Sequence, residues 1–366
     1  MKIIAFNGSP RPDGNTAVLL NHVLEPIRAK GMTRILTTLA LTVGCILLAG
    51  CKGTGNNGKA TPLPASQPTS APCDAVADAG LPEGGVTFNS KLALNLWVHI
   101  DSDVGGQWGG TPASRPISIP KCRWWGVEPL QGVSIDDTVA EAKAHGIHAL
   151  LLTHASDKDI DHLGSWPELT TLFINGPDIT DAALVNIGEI KGLRTLGLMR
   201  TSITDAGLVH LIALSGLQEL FLEETHITDA GLAELKKMTG LQTLGLGFTK
   251  ITDSGLVHLK ALPELRGLDF FGANITDAGM GHLRELEGLR TLGLESTQIT
   301  DVGLACISDM QLLDLHVEHT HVTLAGLLNL NGLKKLKTLN VAGLGITKAG
   351  LEELRKARPN TKVIDY

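Results

Sequence analysis

The chain has 366 residues and a formal net charge of −7, from 31 Lys+Arg against 38 Asp+Glu. That balance argues against a nucleic-acid binder, which needs a basic face to neutralise phosphates, and a hydrophobic share of 43% excludes wholesale disorder. With 42 glycines and a single stretch apolar enough to concern a membrane, what remains is an ordered, repetitive chain with a leader.

At the start, Lys2-Ile3-Ile4-Ala5-Phe6 is a strand-like run, and Asn7-Gly8-Ser9-Pro10-Arg11 with Gly14-Asn15-Thr16 leads into a helix over 17–30. This order resembles the first strand, phosphate loop and first helix of the flavodoxin-like NAD(P)H-dependent FMN reductases. The resemblance implies FMN-phosphate contacts from Ser9, Arg11, Asn15 and Thr16, at a helix N-terminus where backbone donors gather. No further strand–helix pair appears before residue 32, so residues 1–31 offer neither an isoalloxazine site nor a sheet. A lone strand and helix cannot bury enough surface to fold. Residues 1–31 read as a fragment fused ahead of a complete gene, with Met32 as its working start.

Residues 32–51 form the leader. Met32-Thr33-Arg34 precedes an apolar run over 35–49 that ends in Leu48-Ala49-Gly50-Cys51. The run is short of the roughly 20 apolar residues of a spanning helix and reads as an export signal. Its ending resembles the bacterial lipoprotein signal, which implies a diacylglyceryl group on Cys51 as the mature N-terminus. Lys52 is not the acidic residue that often holds such proteins at the inner membrane, so the resemblance implies an outer-membrane or periplasm-facing destination. Residues 52–85, rich in Gly, Pro, Ser, Thr and Ala, read as a flexible tether.

Residues 86–154 carry Trp97, Trp108, Trp124 and Trp125, with a strand expected over 92–100, a helix over 136–145 and a strand over 149–152. The segment reads as the N-terminal cap of a repeat array; an aromatic ligand surface is the alternative. Asp101-Ser102-Asp103-Val104-Gly105 has the look of a calcium loop but lacks its closing Glu, so a polar turn is the better reading. Cys73 and Cys122 form either a disulfide or two free thiols in an exported chain.

From residue 155 onward a repeat dominates. Ile-Thr-Asp recurs with its isoleucine at Ile179, Ile203, Ile227, Ile251, Ile275 and Ile299, in steps of 24 residues. Val322 and Ile346 continue the series after steps of 23 and 24. In one unit Leu208, Leu211, Leu214 and Leu217 recur every third residue, which lays one apolar stripe along a helical segment. The period then switches to two at Leu220 and Leu222, the mark of a short strand with one buried face. Thr204 is placed to cap the helix, Asp205 adds negative charge at its N-terminal end, and Ala206 with Gly207 keeps the first turn thin. One unit cannot bury its leucines alone, so stacked units must share a core. The pattern I-T-D-x-G-L-x-x-L-x-x-L-x-x-L-x-x-L-x-L-x-x-T resembles the leucine-rich repeat family over 155–366. The resemblance implies an α/β solenoid, with a curved parallel sheet inside, helices outside and a closing strand over 361–366.

Aligning the copies between their two strand leucines gives the column Phe173, Gly197, Phe221, Gly245, Asp269, Gly293, His316 and Asn340. A large residue or Asp alternates with Gly through Gly293, which predicts a shallow notch beside each knob on the concave face. Glu223, Phe271, Glu295 and Glu318 share a second column, with Glu224 and Phe248 beside it. Exposed Phe marks recognition surfaces, so these six residues, with Phe173 and Phe221, are the candidates for binding a basic or amphipathic protein or peptide. Drift in an array that needs only its leucines is the alternative.

Asp314, His316 and Glu318 alternate along one strand, and Glu295 lies beside Glu318 at the ordinary strand spacing of about 4.8 Å. Glu295, Asp314, His316 and Glu318 form either a divalent-cation site or a polar patch. His162, His210, His258 and His282 share one helix-side position and read as surface residues. No Gly-x-Ser-x-Gly, His-Glu-x-x-His or Cys-x-x-Cys is present. The chain therefore reads as a non-catalytic, lipid-anchored binder of a protein or peptide that needs no cofactor. Two alternatives are an FMN reductase, resting on residues 1–31 alone, and a structural envelope protein.

Overall fold

The computed structural model describes residues 86–365, apart from 102–103, 114–115, 120–121 and 162. The fragment over 1–31, the leader with Cys51, the tether with Cys73, and His162 lie outside the described residues.

The Ile-Thr-Asp phrase builds the stack. Its isoleucines, from Ile179 to Ile299, are fully buried. Its threonines cap the helices behind them: Thr180, Thr228 and Thr300 accept from the backbone N–H groups of Ala182, Ala230 and Val302 at 3.2 Å. The aspartates reach across the copy boundary. Asp205 accepts from the Thr228 backbone N–H at 2.8 Å and from Thr228 Oγ1 at 2.6 Å. The same two bonds tie Asp181 to Thr204, Asp229 to Thr252, Asp253 to Thr276 and Asp277 to Thr300. Where the phrase carries glycine, the glycine has a steric reason; the Ile179 copy has Ala183 there. A Cβ on Gly231 would stand 2.4 Å from Asp205 Oδ1, and one on Gly255 2.4 Å from Asp229 Oδ1.

The helical segments are short and thin. Gly207–Ala213 and Asp253–Ala261 are 3-10 helices, while Asp181–Ile187 and Asp229–Leu235 are single α-helical pieces. A leucine at every third position matches the 3.0-residue turn of a 3-10 helix, and Leu208, Leu211, Leu214 and Leu217 are all buried. Each such leucine contributes about 1.5–3 kcal/mol by leaving water.

Before the repeats come β1 (Val86–Phe88), β2 (Leu94–Asp101), β3 (Val104–Thr111), β4 (Ile117–Ile119), β5 (Trp124–Pro129) and a helix, Ile135–Ala144. Ser134 caps this helix by accepting from the Asp137 N–H. The repeat strands are β6 (Ala149–Leu152), β7 (Thr171–Asn175), β8 (Thr195–Met199), β9 (Glu219–Phe221), β10 (Thr243–Gly245), β11 (Gly267–Asp269), β12 (Thr291–Gly293), β13 (Asp314–His316), β14 (Thr338–Asn340) and β15 (Lys362–Ile364). Among the described residues one sheet has thirteen strands, in the order β15 to β5 without a break, then β2 and β3.

The repeat strands pair in parallel with no slip: Leu220, Leu244, Leu268, Leu292, Leu315 and Leu339 lie side by side in one buried row. This is a leucine-rich repeat solenoid of α/β class. Strand spacing of about 4.8 Å against the wider helix diameter makes the strand side the tighter one.

Two compact units divide the chain. One holds 89–96, 110–115 and 125–366; the described part of the other is 86–88, 97–109 and 116–124. Within the first, β5 pairs in parallel with β6 through Gly126↔Ala149, and the Leu130 N–H donates to the Ala93 carbonyl at 2.9 Å. Within the second, β1 pairs antiparallel with β4, and the His99 and Trp124 rings lie 5.5 Å apart. Among the described residues, no helix is long and apolar enough to cross a membrane.

Candidate partner-binding face

The strand register creates the outward column directly. Phe173, Gly197, Phe221, Gly245, Asp269, Gly293, His316 and Asn340 are consecutive partners from β7 to β14. The expected notches are filled. The Phe173 ring leans over Gly197, where an added Cβ would stand 2.3 Å from Cδ1. Phe173 and Phe221 thus stack across β8, with ring centroids 6.0 Å apart and planes at 27°. The Glu223 carboxyl occupies the space above Gly245, and Glu295 with Asp269 occupies that above Gly293. Glycine serves here to let a neighbour's side chain lie down, which is a different use from leaving a cleft.

After each strand the chain makes one tight turn. A buried threonine hydroxyl closes it: Thr225 Oγ1 donates to the Leu222 carbonyl at 2.6 Å, and Thr201, Thr249 and Thr297 repeat the bond. The residue before the threonine is left-handed in every such turn, with φ of 57° at Arg200, 56° at Glu224, 51° at Phe248, 56° at Ser296 and 53° at His319. Three copies place glycine there, Gly176 at 150°, Gly272 at 66° and Gly343 at 74°. A non-glycine residue in this region costs on the order of 1 kcal/mol. Five copies nevertheless keep a side chain at this point.

Phe248 differs from the other four in exposing an apolar ring; the exposed His319 imidazole covers Gly343 as the Phe248 ring covers Gly272. Phe248 is 50% exposed and meets Phe271 edge-on, with ring centroids 4.7 Å apart and planes at 74°. Next to it along the turn row, Arg200 and Glu224 pair at 3.0 Å.

Two carboxyls of this face, Glu223 and Glu295, are largely withdrawn from water. Glu223 Oε2 is out of contact with water and has no hydrogen-bond partner, although the residue as a whole keeps some exposed surface. Burial first, and then the Asp269 carboxylate, push Glu223 up to about 8. Burial and Asp269 push Glu295 up to about 8 as well, against the opposing pull of His316. Both are thereby shifted toward the protonated form, with burial the larger cause in each.

At the C-terminal end of the face, His316 Nδ1 lies 3.5 Å from Glu295 Oε1 and 3.7 Å from Glu318 Oε1. Asn340 Nδ2 donates to Glu318 Oε1. Asp314 does not join them. It pairs with Thr291 across β12 and β13 and accepts from Thr291 Oγ1 at 3.4 Å, one pleat repeat further down the strand. Asp269 and Asn340 belong to this group instead; both stand in the aligned column, which places them but carries no signal of their role. Of the other expected positions, His258 and His282 are half-buried and His210 exposed on the helix side. Cys122 is half-buried, and burial pushes its thiol up to about 11.

No protein-family model and no curated protein matches this chain. Among solved structures it is similar to an internalin (inlF) from Listeria monocytogenes, at 24% identity and a TM-score of 0.45, with 62% of each chain covered. It is also similar to an internalin C2 (inlC2) from the same organism, at 22% identity and a TM-score of 0.41, covering 58% of this chain and 84% of that one. The chain thus spans about 62% of the length of the first of these structures.

Proposed function

We propose that the chain is a non-catalytic lipoprotein of a bacterial cell envelope that binds a protein or peptide on its strand face. Cys51 is the lipid-bearing residue in this reading, and residues 52–85 hold the repeats away from an outer-membrane or periplasm-facing surface. No cofactor takes part.

The observation that carries the binding role is Phe248. A half-exposed phenylalanine in left-handed backbone is unfavourable twice over, in strain and in hydration. Glycine fits the same position in three other copies at no such cost. An aromatic kept there, edge-on to Phe271 and on the same strand face as the stacked Phe173–Phe221 pair, gives a partner a rigid apolar foothold. With the Phe173–Phe221 and Phe248–Phe271 pairs on this face, the partner supplies apolar side chains, as a basic or amphipathic protein or peptide would.

The test is capture of envelope proteins from the source cell on the immobilised mature chain. The wild type retains a discrete partner, and Phe248→Ser with Phe221→Ala loses it while circular dichroism is unchanged. Equal retention by the double variant contradicts this face as the binding surface. Separately, incorporation of labelled fatty acid should vanish in Cys51→Ala; incorporation that survives contradicts the anchor.

A further inference from the structure

The group at the C-terminal end of the strand face has a property that protein–protein recognition does not require. Glu295, His316 and Glu318 each offer one donor atom, and these atoms all lie within 4.8 Å of one another. The Glu318 side chain is 5% exposed and those of Glu295 and His316 are 14% exposed, so the donors converge in a place with little water. Glu318 Oε2 and Glu295 Oε2 are both buried without a hydrogen-bond partner. Buried carboxyl oxygens left unmatched are expensive and call for a hydrogen-bond donor or a ligand.

The distances discriminate between two ways of matching them. A direct charge-assisted hydrogen bond from the imidazole would bring nitrogen and oxygen to about 2.7–2.9 Å. The observed 3.5 and 3.7 Å are longer. Three donors around one tetrahedral ion at bonds of about 2.0–2.1 Å stand roughly 3.4 Å apart. The two separations from His316 therefore match a shared ion more closely than direct hydrogen bonds, and the third lies within 4.8 Å.

We infer that Glu295, His316 and Glu318 form a binding site for one divalent transition-metal ion of the Zn2+ class. The imidazole nitrogen disfavours Mg2+ and Ca2+, which take oxygen-only shells, and two carboxylates with one imidazole suit borderline ions. The surroundings fit the assignment. Asn340 donates to Glu318 Oε1 and orients the carboxyl, the role of an outer partner around a metal. Gly293 gives Glu295 the room to lie across the sheet, since an added Cβ would stand 2.8 Å from its Oε2. Asp269 sits against the same glycine and adds negative field without entering the donor set. Three protein ligands leave coordination positions open on the solvent side of the strands.

The test uses the purified mature chain, stripped with chelator and titrated calorimetrically with Zn2+. The expected result is one equivalent bound at micromolar affinity or better. His316→Asn and Glu318→Gln should each weaken binding at least tenfold, whereas Asp314→Asn and His258→Asn should leave it unchanged. Glu318→Gln keeps the side-chain shape, and Asn340 can still donate to its amide oxygen, so the repeat should stay intact by circular dichroism. A readout on the wild type alone guards against misfolded variants. Co2+ added to the stripped chain should show the intense visible bands of a low-symmetry protein site. Absence of stoichiometric Zn2+ binding, a Co2+ spectrum identical to the aqueous ion, or unchanged affinity in His316→Asn with the fold retained would each overturn the site.

Discussion

The turn side and the strand side of each repeat obey different rules. On the turn side, one Asp–Thr–Gly set recurs from copy to copy with the same two hydrogen bonds, at 2.6–2.9 Å in each of the five junctions from Asp181 to Thr300. On the strand side, the aligned column runs through phenylalanine, glycine, aspartate, histidine and asparagine. The difference comes from where each residue finds its partner. An aspartate whose acceptor atoms are engaged by the next copy's threonine cannot vary alone. A knob that faces outward answers only to its immediate neighbours and to whatever binds it.

This contrast can be broken at several points. Gly231→Ala should have the largest effect, because the new methyl would stand 2.4 Å from Asp205 Oδ1 and 2.8 Å from Ile227 Cγ2. A loss of about 3 kcal/mol is expected in chemical denaturation, the upper end of the overpacking range. Asp229→Ala, which strands the Thr252 backbone N–H and hydroxyl, should cost about 2 kcal/mol in the same assay. If either change is silent, the ladder is not what holds the copies in register.

A pH measurement sharpens the other half of the comparison. Glu223 is raised to about 8 in the folded state, chiefly by burial and then by Asp269. Between the ordinary glutamate value and about 8, the unfolded chain has released this proton and the folded chain has kept it. The folded state binds more protons there, so stability falls as pH rises through that window, by at most about 1.4 kcal/mol per pH unit from one group. Glu223→Gln should flatten this slope. An identical slope in the variant would mean that the carboxyl stays ionised and hydrated. The smallest effect belongs to the left-handed turn: Ser296→Gly should stabilise by up to about 1 kcal/mol, visible as a small rise in melting temperature.

Much of the fold is legible because the period itself encodes the stacking. A repeat of 24 residues with two strand leucines fixes the parallel register, and the column read from Phe173 to Asn340 is the pairing observed from β7 to β14. The spacing of three at Leu208, Leu211 and Leu214 marks a helical segment but not its type, since the same spacing at Leu232, Leu235 and Met238 starts on an α-helix. What the pattern cannot carry is side-chain reach. Spacing places Asp205 at its own helix terminus, but its carboxylate also spans to Thr228 in the next copy. Alternation puts Asp314 on the face of His316 and Glu318, yet alternation is silent on position along the strand axis, and Asp314 lies with Thr291. The glycines expected to open notches are covered because Phe173 and Glu223 lie along the sheet instead of standing off it. Burial of the Glu223 and Glu295 carboxyls, and hence their protonation, comes from that same posture.

The central claim is that the strand side, with the tight turn that follows each strand, recognises, and the Asp–Thr–Gly ladder at the helix starts holds the stack together. Photo-crosslinking in the source cell tests it most directly, with benzoylphenylalanine placed at Phe248 or at Val302, an exposed residue on the helix side at 68%. The account predicts a discrete covalent adduct from position 248 and none from position 302. Adducts from position 302 alone, or the same adducts from both, would contradict it.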